Sequence, residues 1–464
     1  MSRLEASELL ANAVTPLVRI SGFDERPQGI LERMQAHGVP GVQVAVIEGD
    51  EITWSAGYGE LEKDSGRPVE ARSLFQAASI SKPVTALAVM RLIGDGVLDL
   101  ETPVNAWLRS WKLPENEHTL RRPVTLRELL SHTAGTTVHG FPGYPSDAPL
   151  PTLQQTLDGE APANTKPVRV DIPVGTQVRY SGGGTMIVQQ VLIDVSGERF
   201  PELMARLVLE PLGMSDSNYE QPLPVALHAR AATAHDDAGP VPGKWHVYPE
   251  MAAAGLWTTA SDLARFVLGI ERAIADQPGA LIPARLAREM VRPQNGVPVG
   301  LGPQLAGSDR DPRFFHSGGN RGFNCRCVGF VEHADGVVVM TNGPFSAAPL
   351  LNEVIGAIGA SGGWLDFVVP RELKVLTGSD GLEAFVGVYE LGGMTIAVRL
   401  DEDGLHLDGP FGPQLMHRTG EREFVLADTT RVTFEVVTDA GTAALEQWGN
   451  RHVLTRKASA GAII

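Results

Sequence analysis

Four residues of this chain have types and spacings that could do chemistry together. In FQAASISKPVTALAVMRLI, which begins at Phe75, Ser79 stands three residues before Lys82, and Pro83 follows. Positions i and i+3 share one face of a helical turn, so this spacing brings a hydroxyl and an amine together. A serine beside an amine that can lose its proton is an activated nucleophile. The positive end of a helix disfavours a second positive charge, and burial acts in the same direction. Both would lower the pKa of Lys82 toward neutrality, where it can accept a proton. Read alone, the spacing is equally that of a capping serine beside a solvated lysine.

The second element is RYSGGGT, in which Tyr180 lies 101 residues after Ser79. A tyrosine relays protons when nearby cations hold its phenolate form. The plain alternative is a core tyrosine before a glycine turn. The glycines, Gly182 among them, are not a phosphate loop, because the G-x-x-x-x-G-K-[ST] spacing is absent. The third element is RFFHSGGNRGFNCRCVGF. His316 could donate to a substrate or shuttle protons, and Gly318 and Gly319 let backbone approach a ligand closely.

These residues need elements to hold them. GVQVAVIEGDEITWSAGYGE reads as two strands, Val42–Ile47 and a second from Ile52, around a polar turn. The run after Pro83 has helical spacing and stops near Gly94–Gly96. VTLRELLSHTAG predicts a short helix ending at Gly135, with Thr125 as N-cap and Glu128 completing a capping box. From Thr136 to Gly175 seven prolines (142, 145, 149, 151, 162, 167 and 173) leave no periodicity. Such stretches often cover active sites, and Phe141 and Tyr144 are the expected apolar contacts of a substrate-facing lid there. GGGTMIVQQVLIDVSG predicts a helix ending at Gly197, and TTASDLARFVLGIERAI another with Ser261 as N-cap. NCRCVGFVEHADGVVVMTNG predicts a hairpin. Strands at both ends with helices between give an α+β pattern in which the terminal strands share one sheet. After about residue 370 short alternating runs such as MTIAVRL and RVTFEVV predict a small antiparallel barrel or sandwich.

Bulk properties narrow the partners. At 464 residues two or more domains are expected. A net charge of −16 argues against nucleic acid or an anionic membrane as partner. No segment approaches the roughly 20 apolar residues that span a bilayer, and the amphipathic first residues do not read as a secretory signal, so a cytoplasmic protein is expected. Cys325 and Cys327, the two cysteines, share a strand face about 6.5–7 Å apart and read as reduced core thiols. No histidine spacing predicts a metal site.

Taken together, Ser79-x-x-Lys82, Tyr180-Ser-Gly and His316-Ser-Gly, in that order, resemble the serine hydrolases of the class C β-lactamase and penicillin-binding protein superfamily. GVPGVQVAVI, LRELLSHTAGT and MAAAGLWTTASDLARF extend the likeness across about residues 30–345. The resemblance implies that Ser79 is acylated, Lys82 is its base, Tyr180 relays a proton to the leaving group, and the N–H groups of Ser79 and Gly319 form the oxyanion hole. The tail resembles lipocalin-like barrels that follow some of these hydrolases. Two positions depart from the pattern: Gly182 stands where the family usually has asparagine, and His316 where true β-lactamases carry lysine. Both normally help hold a β-lactam.

The expectation is therefore an α+β protein: an antiparallel sheet flanked by helices with a mostly helical subdomain over 1–370, and a lipocalin-like barrel over 371–464. Ser79, Lys82, Tyr180 and His316 are the expected catalytic residues, with Gly319, Gly318, Gly182, Tyr144 and Phe141 lining the oxyanion and substrate site. The expected substrate is a small ester, amide or peptide, with weak or no β-lactamase activity and no cofactor. A D-amino-acid-specific peptidase or peptide cyclase is the alternative, in which Glu250 or Asp147 would hold a substrate ammonium. A non-enzymatic binding or sensor module on the same fold is the third reading.

Overall fold

The computed structural model describes residues 3–15, 18–20, 28–294, 296–364, 371–373, 376, 380–391, 394–409, 412–426, 430–435, 441–447 and 450–457. Contacts divide the chain into two units, Gly38–Pro344 with the first three residues, and Leu4–His37 with Phe345–Ile464. The barrel strands begin at Gly387, whereas the contact division lies between Pro344 and Phe345. Residues 4–37 join the second unit in two ways: Val18–Ile20 pairs in parallel with Arg371–Leu373, and Arg33, on the helix Ile30–Ala36, donates from Nε and Nη2 to both oxygens of Glu353 (2.8 Å each), which lies on the helix Ala348–Gly362.

The first unit is built on a six-stranded sheet. Its strands are β1 (Gly41–Glu48), β2 (Glu51–Gly59), β4 (Gln304–Ala306), β5 (Arg313–Asn320), β6 (Phe323–Phe330) and β7 (Gly336–Thr341); β3 (Phe75–Gln76) lies outside it. The order is β2-β1-β7-β6-β5-β4, and every pairing is antiparallel. Strands from the two ends of the unit thus share one sheet: β1 and β7, buried along almost their whole length, pair in its interior, where both faces are covered.

Five helices bear on the site: α1 (Ser81–Gly94), α2 (Leu126–Leu130), α3 (Leu153–Asp158), α4 (Gly182–Ser196) and α5 (Ala260–Ile274). The capping box of α2 forms as expected, Thr125 N–H donating to Glu128 Oε2 (3.0 Å), but the helix stops at Leu130. His132 takes φ +57°, which closes the helix before Gly135. On α5 the cap is Thr259, not Ser261: Thr259 Oγ accepts from Asp262 N–H (3.1 Å), so Ser261 is already helical. The irregular stretch from 136 to 175 holds α3, capped by Thr152, which is too short for its periodicity to stand out among the prolines.

In the second unit nine antiparallel strands, from Gly387–Leu391 to Asn450–Arg456, form a nearly closed barrel. Its end strands, Gly412–Leu415 and His417–Arg418, are consecutive in the chain, so Met416 alone separates them. Phe385, Tyr389, Phe424 and Phe434 fill the interior with ring centroids 4.6–5.8 Å apart. Among the described residues no helix is long and apolar enough to cross a membrane. None of their His, Cys, Asp and Glu side chains group into a metal site.

Candidate active site

Ser79 occupies a 3₁₀ turn, Ala78–Ile80, between β3 and α1. Ala78 holds φ +48°, a conformation that costs about 1–3 kcal/mol in a non-glycine residue and persists only where the surroundings enforce it. Those surroundings are specific. Ser81 Oγ donates to Ala78 O (2.6 Å) and accepts from Leu256 N–H (3.1 Å), Tyr219 O–H donates to Ser81 O (3.0 Å), and Ala77 N–H donates to Leu256 O (2.8 Å). Within this buried turn Ser79 alone is half-exposed.

Lys82 is the second residue of α1, so its side chain returns to the turn that carries Ser79. Its Nζ lies 3.0 Å from Ser79 Oγ and donates to Ala253 O (2.8 Å). Only 4% of the residue is exposed, and burial lowers its pKa to about 7. Half of the lysine is then neutral near pH 7, with a lone pair available to the serine proton.

Tyr180 stands over the same amine, with Lys82 Nζ 4.9 Å from its ring centre. Burial pushes its phenol well above the usual value, and its hydrogen bond with Ser79 pulls the other way. Tyr180 is therefore a neutral hydroxyl at pH 7 and not the cation-held phenolate of the sequence reading. Three histidine rings surround it: His132 at 4.4 Å, His139 at 5.1 Å and His316 at 6.1 Å between centroids. Tyr180 leads into α4, whose N-cap Ser181 accepts from Gly184 N–H (2.9 Å). His132 Nδ1 accepts from Ser181 N–H (3.3 Å), which fixes its tautomer with the proton on Nε2.

His316 lies where β5 loses a neighbour. Strand β4 pairs only with residues 313–315, so among the described residues the edge of β5 from His316 to Asn320 has no strand partner on that side. The His316 Nδ1–H donates to Ser317 O (2.7 Å), which leaves Nε2 as an acceptor; this Nε2 is buried with no hydrogen-bond partner among the described residues. Burial, with Lys82 nearby, lowers the His316 pKa to about 3, so the ring is neutral across the physiological range. Gly318 is required by close approach: a Cβ there would fall 2.2 Å from Ala77 O. Gly319 follows, exposed. Asn320 Nδ2 donates to Gln76 Oε1 (2.7 Å) and Ala254 O (3.1 Å), and Gln76 Nε2 to His246 O (2.9 Å), so one amide chain ties β5 to the residues before the serine.

Ser79 with Lys82, Tyr180 and His316 thus come together from three separate parts of the chain. Tyr144 does not face the opening. It is 4% exposed, its hydroxyl accepts from Asn164 N–H (3.0 Å), and its backbone pairs with Val247. It fastens the 136–175 segment instead of lining a lid. Phe141 is half-buried with its ring against Gly182. Glu250 is fully buried, and burial raises its carboxyl to about 8, so it is mainly neutral at pH 7; Asp147 is exposed. Sequence reading missed His132, His139, Gln76 and Asn320. The run SHTAG was visible, but nothing in its spacing shows a ring folding back on Tyr180.

Known proteins share this architecture. The beta-lactamase family model matches residues 28–359, and the chain belongs to that family. An uncharacterized protein of Mycobacterium tuberculosis is 27% identical over 273 residues, covering 53% of this chain and 65% of that one. The match therefore spans less than two thirds of that relative's length. Esterase EstB of Burkholderia gladioli is 26% identical over 291 residues, covering 55% and 71%. Among solved structures, the octameric penicillin-binding protein homologue from Pyrococcus abyssi aligns over 92% of this chain and 98% of its own, with a TM-score of 0.62 and 21% identity. That likeness includes the barrel and establishes a shared fold.

Proposed function

We propose that the protein is a serine hydrolase that forms an acyl-enzyme at Ser79 from a small ester or amide. The observation that carries this reading is the 3.0 Å approach of a buried, near-neutral Lys82 amine to the only half-exposed residue of the nucleophile turn. Ser79 Oγ attacks the acyl carbonyl as its proton passes to Lys82 Nζ. The N–H groups of Ser79 and Gly319 hold the oxyanion on the unpaired edge of β5. Collapse breaks the bond to the leaving group, which takes its proton from the Tyr180 hydroxyl, and Lys82 returns a proton to Tyr180. Attack by water reverses the sequence and releases the acid. His316 accepts a hydrogen bond through Nε2 from a neutral donor on the substrate.

The same features argue for weak β-lactam turnover. A neutral His316 offers no cation for a β-lactam carboxylate, and Gly182 offers no side-chain amide. Each missing polar contact costs about 1–3 kcal/mol. Membership of a family that includes an esterase relative supports the ester reading. Glu250, which the D-amino-acid peptidase reading would use to hold an ammonium, is enclosed and mainly neutral at pH 7, so it does not offer that reading its carboxylate. A cytoplasmic location belongs to the proposal, and the two buried, unbridged cysteines are compatible with it.

The test is intact mass after exposure to a fluorophosphonate, alongside kcat/KM for p-nitrophenyl butyrate and nitrocefin. The wild-type protein should gain one adduct and turn over the ester far better than nitrocefin, and Ser79→Ala should do neither. Ester turnover by Ser79→Ala at the wild-type rate would end the assignment.

A further inference from the structure

The strip from Thr137 to Phe141 lies across the start of α4. Gly182 N–H donates to His139 O (2.9 Å), Gly183 N–H to Val138 O (3.0 Å) and Ser181 Oγ to Thr137 O (2.7 Å). The first N–H groups of a helix have no partner within it, so these bonds both satisfy α4 and fix the strip. Phe141 is placed by this docking. A Cβ built on Gly182 would fall 2.7 Å from Phe141 Cε2 and 3.3 Å from Cδ2. The ring therefore fills the space into which a side chain at position 182 would project, two residues beyond Tyr180. Part of the ring packs on the core, and the rest is open.

We propose that Phe141 is the specificity-determining residue for the acyl group. Its ring stands in for a side chain at 182 and presents an apolar wall beside Tyr180. The substrate class is then an ester with an aromatic or alkyl acyl chain, in preference to one carrying an amide next to the reacting carbonyl. An acyl amide laid against this ring would lose water and find no partner there, whereas an aromatic or alkyl chain gains contact. The inference rests on the Ser79 acyl-enzyme reading and adds the substrate to it.

The experiment compares kcat/KM for p-nitrophenyl phenylacetate and p-nitrophenyl N-acetylglycinate, two activated esters of similar length. Wild type should favour phenylacetate, and Phe141→Ala should lower the phenylacetate/acetylglycinate ratio about tenfold. Phe141→Leu, a milder change should the alanine variant fail to fold, should shift the ratio the same way by a smaller factor. Adding Gly182→Asn to Phe141→Ala should lower the ratio further, because the space is then free for an amide. Wild-type turnover with a ratio that stays within twofold in the folded variants overturns this inference and leaves the acyl-enzyme reading standing. No turnover of either ester and no fluorophosphonate adduct on wild type would remove that reading, and this inference with it.

Discussion

Lys82 sets the pH at which Ser79 can be activated. Its folded pKa is lowered to about 7 by burial, so the proton-accepting amine is the minor form below that value and the major form above it. kcat/KM for an activated ester should therefore rise about tenfold per pH unit up to a midpoint near 7 and then level off. His316, held neutral down to about 3, should add no inflection between pH 4 and 6. A flat profile from pH 5 to 9 would show that Lys82 is not the base. The pairing of Ser79 with Lys82 was legible because i and i+3 share one face of a turn, with the other two motifs following in order. His132 and His139 were not, since ring packing around Tyr180 joins positions whose separation follows no period. The charge state of Tyr180 was also out of reach, because it depends on how much water the fold removes.

At the scale of elements, the site depends on how closely β5 passes the turn that carries the nucleophile. Gly318 faces Ala77 O at a distance that no Cβ can share. Gly318→Ala must move either the strand or the strained Ala78 turn, and overpacking of this kind costs about 1–3 kcal/mol. A lower melting temperature together with at least a tenfold loss of kcat/KM on p-nitrophenyl acetate is expected. A variant with wild-type kinetics and melting would show that the strand does not position the serine. Strand pairs, the long helices and the capping box at Thr125 were legible from alternation, period and cap chemistry. Helix ends were less so: α2 stops at a histidine in the left-handed region, and the cap of α5, Thr259, lies two residues before the serine that resembled it. Both choices are made by local hydrogen bonds that competing side chains could equally have offered.

Over the whole molecule, the alternating runs after residue 370 made the barrel legible, whereas residues 4–37 join the second unit through a strand pairing and an ion pair with partners far away in sequence, which no local pattern reports. Glu353 is almost fully buried; burial would raise its pKa, but His37 and Arg33 outweigh this and hold it below the usual value. Removing one partner from a buried pair costs about 3–5 kcal/mol. Arg33→Ala should therefore lower the unfolding transition of the barrel unit in calorimetry while ester kcat/KM stays within twofold. A thermogram identical to wild type would mean that the pair adds nothing to stability.

The pairing of β1 with β7 also governs how the protein is made. Val42 meets Thr341 and Ile47 meets Gly336, so the centre of the sheet cannot close until nearly the whole first unit has left the ribosome. Contacts this distant in sequence form slowly, since the entropy of a long loop is lost before any pairing compensates for it. Ser79 is synthesised long before His316 and Gly319. During that interval the nascent chain carries a serine and a lysine without the strand edge on which an oxyanion could rest, and the reactive constellation is completed among the last events of folding.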